Sequence, residues 1–124
     1  MATSLTFDGV SFPDGSVQYK ASRSPRAWVT FNGTSTVSIL SHYNISSITD
    51  NGTGDYTINF TVFLPHVNYC AVAMAQRAAT NDEVNTSIKQ GVNPTTSSLR
   101  IACRTPSSGA AQDPSRVCVA MFSE

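Results

Sequence analysis

The chain has 124 residues, in which Lys plus Arg and Asp plus Glu balance at 8 each and charged residues make up only 13% against 40% hydrophobic ones. That size fits one domain around one core. The zero net charge removes the long-range attraction that a phosphate backbone or an anionic membrane surface exploits, so neither is an expected partner.

Polarity is mostly uncharged. Ser (17), Thr (14) and Asn (8), with Val plus Ile (17) far outnumbering Leu (4), favour strands and turns over helices. No apolar run approaches the roughly 20 residues of a membrane span. The N-terminus also lacks the basic start and apolar stretch of a secretory signal, so synthesis in the cytosol is expected.

Residues 1–25 carry two turn units, Phe7-Asp8-Gly9 and Phe12-Pro13-Asp14-Gly15, where Pro presets φ and Gly accepts positive φ. Leu5, Phe7, Val10, Phe12 and Val17 are too few to close a core and too many for a plain linker. They predict an attachment or trimerisation arm that needs a partner surface. The basic, Ser-rich stretch around Pro25 marks the boundary with a second unit, 26–124.

From Ala27 onward the apolar pattern has period two or falls in short runs, which predicts strands. Residues 27–31 form one, with Trp28 expected in the core. Residues 37–48 form a long one with a bulge near Ile45. Asn51-Gly52 then turns into the alternating run Tyr56, Ile58, Phe60, Val62, a strong hairpin signal. Residues 67–74 and 117–122 are apolar on both parities and read as central strands covered on two sides. Between them come a short strand at 84–89 and the alternating Leu99, Ile101, Cys103. Loop chemistry occupies 78–98 and 105–115. The expected fold is all-β, an antiparallel β-sandwich of about seven strands with a turn-rich N-terminal arm.

Catalytic constellations are missing from the pattern. Each Asp neighbours Gly, Asn or Pro and is expected to cap a turn. His42 and His66 lack metal-ligand spacing, and Cys70, Cys103 and Cys118 form an odd set without a C-x-x-C pair, expected as small buried apolar groups. No cofactor and no enzyme activity are expected. Five N-x-S/T triplets, at Asn32, Asn44, Asn51, Asn59 and Asn85, are what this composition gives by chance. Arg outnumbers Lys six to two, the bias of protein interfaces.

Two segments carry a resemblance. Ser11-Phe-Pro-Asp-Gly-Ser-Val-Gln-Tyr-Lys-Ala21 resembles the F-x-D-G-S/T-x-Q-x-x-A segment that precedes the C-terminal module of many bacteriophage tail-fibre proteins. Ala27-Trp-Val-Thr-Phe-Asn-Gly-Thr34 with Tyr43-Asn-Ile-Ser-Ser-Ile-Thr-Asp-Asn-Gly-Thr-Gly-Asp-Tyr-Thr-Ile-Asn-Phe60 is similar to the pattern of small terminal domains in phage fibre and other virion proteins. The resemblance implies a homotrimeric virion structural protein whose arm attaches to another virion protein and whose β-domain faces outward. Residues 1–25 do not read as the long shaft that normally precedes such a module.

The leading expectation is a tail-fibre or receptor-binding protein that recognises a host cell-surface glycan without cleavage. Its ligand-binding groups are sought in the polar loops, at Asn81, Asp82, Asn85 and Asn93. The alternatives are a trimeric capsid decoration protein and a small polysaccharide depolymerase.

Overall fold

The computed structural model describes residues 4–6, 9–18, 24–77 and 82–123; Phe7 and Asn81, both singled out above, lie outside these. All regular structure among the described residues is β. In the arm, β1 (Ser4–Thr6), β2 (Gly9–Ser11) and β3 (Val17–Gln18) form a small antiparallel sheet in which Leu5 faces Val10 and Ser11 faces Val17. The Pro-Asp-Gly signal is the β2–β3 turn. There Gly15 takes φ 89°, its N–H donates to Phe12 O at 3.0 Å, and the Asp14 carboxylate accepts from Ser16 N and Oγ at 2.9 and 2.6 Å. Those two bonds hold the Asp14 carboxyl below the usual carboxylate range. Phe12 is exposed.

Eight further strands make two four-stranded antiparallel sheets. They are β4 (Ala27–Asn32), β5 (Ser38–Tyr43), β6 (Ile45–Gly52), β7 (Asp55–Phe60), β8 (Cys70–Gln76), β9 (Asn85–Ile88), β10 (Ser98–Arg104) and β11 (Arg116–Phe122). One sheet runs β5-β4-β11-β8 and the other β6-β7-β10-β9. The core is what alternation dictates. Val29 and Phe31 with Val117, Val119 and Met121 supply one side, and Tyr56, Ile58, Leu99, Ile101 and Cys103 the other. Phe31 meets Tyr56 across the two sheets edge to face, with centroids 5.2 Å apart. Each such large apolar side chain contributes about 1.5–3 kcal/mol by burial.

Several expectations are corrected. The stretch 37–48 is two strands in different sheets, because Asn44 takes φ 58°, a left-handed conformation that Asn tolerates better than most residues. This makes eight strands rather than seven. The expected bulge is present between Ile45 and Ser47. Second, Asn51 and Gly52 stay in β6 and the turn falls on Thr53 and Gly54, with Gly54 at φ 62°. Third, β8 is an edge strand, with Val72 and Met74 exposed. Only Ala71 and Ala75 of its apolar run pack against the core, with the larger groups left outside, while β11, the other run of that kind, is central. Fourth, Trp28 alternates with buried Ala27 and Val29 and stands half-buried on the outer face. Cys103 is buried as expected, whereas Cys118 is half-buried and Cys70, on the edge strand, is exposed.

Candidate functional site

Of the residues expected to bind ligand, Asp82 is exposed and pairs with Arg77 at 3.4 Å. Asn85 opens β9 opposite Arg104, and Asn93 is exposed in the β9–β10 connection. None of these three is among the described residues that line the end cleft. Nor do all the aspartates cap turns. Asp50 does, accepting from Gly52 N at 3.0 Å, but Asp55 and Asp113 hold distant strands together.

Asp55 receives Arg100 through two bonds of 2.8 Å and Lys89 Nζ at 3.2 Å. The Arg100 bonds first, then Lys89, hold its carboxyl far below the ordinary carboxylate value against the opposing cost of burial. Because the folded value is depressed, this network stabilises the protein fully above the unfolded carboxylate value of about 3.9. The contribution is lost as pH falls below it. Melting wild type beside Asp55→Asn from pH 7 to pH 2 is expected to show wild type more stable at pH 7 and the gap narrowing below about pH 4; a gap constant over that range contradicts it.

Asp113 accepts the Tyr56 hydroxyl at 2.6 Å and Gly54 N–H at 2.8 Å, tying the β10–β11 connection to the β6–β7 turn. Burial, reinforced by that carboxylate, pushes the Tyr56 phenol far up. Burial likewise pushes Tyr69 up to about 12, its hydroxyl donating to the carbonyls of Thr95 and Ser98. These groups are structural, joining segments far apart in the sequence.

An open cleft of about 430 Å³ exists at one end of the sandwich, lined by Arg26, Tyr43, Asn44 and residues 61–65. Asn44 builds it. At the corner where the chain changes sheet, its amide donates to Arg26 O at 3.1 Å and Val62 O at 3.0 Å and accepts Val62 N–H at 2.7 Å. Its backbone carbonyl accepts Thr61 N–H at 3.1 Å. Leu64 is buried and donates its N–H to Thr96 O at 2.9 Å, so the loop is fixed at both ends.

What this frame presents is apolar: Tyr43, at the end of β5, is 56% exposed, and Val62 and Phe63 in the β7–β8 loop are each 67% exposed. Arg26 adds charge. Its Nε donates to Ser123 O at 3.2 Å, and no carboxylate pairs with it among the described residues. No acid is among the described residues that line the cleft. Chemically the cleft offers aromatic faces and a guanidinium, an arrangement for stacking and hydrogen bonding.

Sequence reasoning placed the site in the polar loops and missed this cleft. The available signal was the run Phe60 to Leu64 before Pro65. Alternation breaks at Phe63 and leaves large apolar residues where a strand should end in polar ones. Compared with known proteins, the chain matches no family model, no curated protein and no solved structure.

Proposed function

We propose that this chain is a terminal β-module of a bacteriophage tail fibre or related virion protein, and that its end cleft recognises a host cell-surface glycan without cleaving it. The observation that carries the glycan reading is the pair of exposed aromatics, Tyr43 and Phe63, in a cleft whose walls Asn44 fixes. Sugar rings present C–H faces to aromatic planes and hydroxyls to polar neighbours. A wall already ordered lowers the entropy cost of binding. The described lining residues, aromatic, amide and guanidinium groups, favour recognition over acid–base hydrolysis of a glycosidic bond, which uses a carboxyl pair.

The virion setting is supported by the two sequence segments at 11–21 and 27–60, and the arm of 1–25 is the part proposed to trimerise and to attach to another virion protein. Three weak sites on one assembly would bind a polyvalent surface by avidity.

The test is binding of the labelled full-length chain to host cells and to polysaccharide isolated from them. Losing one aromatic contact costs on the order of 1 kcal/mol, so the double variant Tyr43→Ala/Phe63→Ala is expected to weaken binding on the order of thirtyfold. Asn85→Ala and Asn93→Ala are expected to bind as wild type does, and polysaccharide chain length should not change on incubation. Undiminished binding by the aromatic double variant overturns the cleft as the site.

A further inference from the structure

We propose that the folded chain modifies itself at Asn51, whose side-chain carbonyl carbon is captured by the backbone nitrogen of Gly52 with loss of ammonia. The Gly52 nitrogen bonds to Asn51 Cγ, the Cγ–Nδ2 bond breaks, and the proton displaced from Gly52 passes through water to the departing Nδ2. A five-membered succinimide remains. Water then opens that ring at either of its carbonyls, leaving Asp or the backbone-lengthened isoaspartate at position 51. Because ring closure is intramolecular, its rate depends on how freely the two groups can meet. Glycine in the second place favours it, since no Cβ shields the nitrogen or restricts the backbone.

The chain holds two such pairs, Asn32-Gly33 and Asn51-Gly52, and the fold separates them. Gly33 is buried. Its N–H donates to Pro114 O at 2.9 Å, its carbonyl accepts from the Tyr56 hydroxyl at 3.2 Å, and even a Cβ added there would run into that hydroxyl. Asn32 Oδ1 is occupied as well, accepting the Thr34 N–H and hydroxyl. Ring closure at this corner would break buried hydrogen bonds in a space that leaves no room for the product.

At Asn51-Gly52 both residues are exposed. Asn51 is the extra residue of a bulge, falling between the registered pairs Asp50 with Tyr56 and Gly52 with Asp55, so its backbone is freer to turn than a ladder residue. The space around Gly52 is open. Its N–H donates to Asp50 Oδ1 at 3.0 Å, and Asn51 Nδ2 donates to Thr57 Oγ1 at 2.7 Å and Asp55 Oδ1 at 3.4 Å. All three bonds end on side chains at the surface, where water replaces them at little cost.

The hairpin is altered by the change. A carboxylate at 51 can no longer donate to Thr57 and Asp55, and it places a like charge beside Asp55. Isoaspartate also inserts an extra backbone atom into β6 opposite β7. The modified chain should therefore melt below the unmodified one. None of this involves the residues that line the end cleft.

Peptide mapping by mass spectrometry of the full-length chain, held in warm, mildly alkaline buffer, tests the proposal. In the folded chain the peptide bearing position 51 is expected to gain about one mass unit at a rate about tenfold above that of the peptide bearing position 32. In concentrated urea, where no fold distinguishes the pairs, the two rates should converge. Asn51→Gln, whose longer side chain does not close the five-membered ring, should abolish the fast release of ammonia and keep the wild-type melting profile. Equal rates at 32 and 51 in the folded chain, a faster change at 32, or no change at 51 would overturn the proposal.

Discussion

Gly54→Ala is expected to be among the most damaging single substitutions in the protein, lowering the unfolding free energy by about 3 kcal/mol or more. Two costs add there. Gly54 takes φ 62°, where a Cβ meets the following carbonyl at a cost of about 1–2 kcal/mol. That Cβ would also run into the Cys103 carbonyl and come within 2.8 Å of the Gln112 backbone. Neither neighbour can step aside. Cys103 N–H donates to Gly54 O at 2.8 Å, and Gln112 N–H donates to Cys103 O at 3.0 Å, so the clash involves the backbone that closes the hairpin onto β10. Gly52→Ala separates the two costs, since Gly52 has φ 132° but open space around it. Urea unfolding of both variants should place Gly54→Ala clearly below Gly52→Ala; equal losses would mean that packing at Gly54 is looser than described.

Tyr56 is the second such position. It is fully buried, meets Phe31 across the core, and donates its hydroxyl to Asp113 at 2.6 Å and towards Gly33 O at 3.2 Å. Tyr56→Ala is expected to cost about 4 kcal/mol through the cavity it leaves. Tyr56→Phe keeps the ring and removes only the hydroxyl, at about 1–2 kcal/mol. Asp113→Asn perturbs the same bond from the other end. In a double-mutant cycle the two conservative changes should therefore be less damaging together than their sum, with a coupling of about 1 kcal/mol. Strict additivity in thermal or denaturant unfolding would show that the hydroxyl and carboxylate do not act as a pair.

These two positions also explain which parts of the fold were legible. Residues of the quoted segments that set conformation are local in their effect. Asn32 accepts Thr34 N–H and Oγ at 2.9 and 2.6 Å, Asp50 caps Gly52, and Ala27, Val29 and Phe31 alternate inward. Local turn chemistry and period two reveal such roles directly. What was not legible depends on contacts distant in sequence. Nothing near Asn44 says that its side chain will hold Val62, 18 positions away, or that the chain changes sheet there. Asp113 looked like a turn residue beside Pro114, yet its partner is 57 positions earlier. The run at 67–74 could be read as buried on both sides because apolar content does not distinguish a central strand from an edge strand with one exposed face. The end cleft is invisible for the same reason: its lining comes from Arg26, the β5–β6 corner and the β7–β8 loop, which only the sandwich brings together.

The claim on which the functional account turns is that saccharide enters this cleft and no other part of the surface. Amide chemical shifts of the isotopically labelled full-length chain, followed while host-surface oligosaccharide is added, read this out residue by residue. Saturable changes confined to Arg26, Tyr43, Asn44 and 61–64 are the expected result. Changes centred on 82–98 or 105–115, or none at saturating sugar, would contradict it.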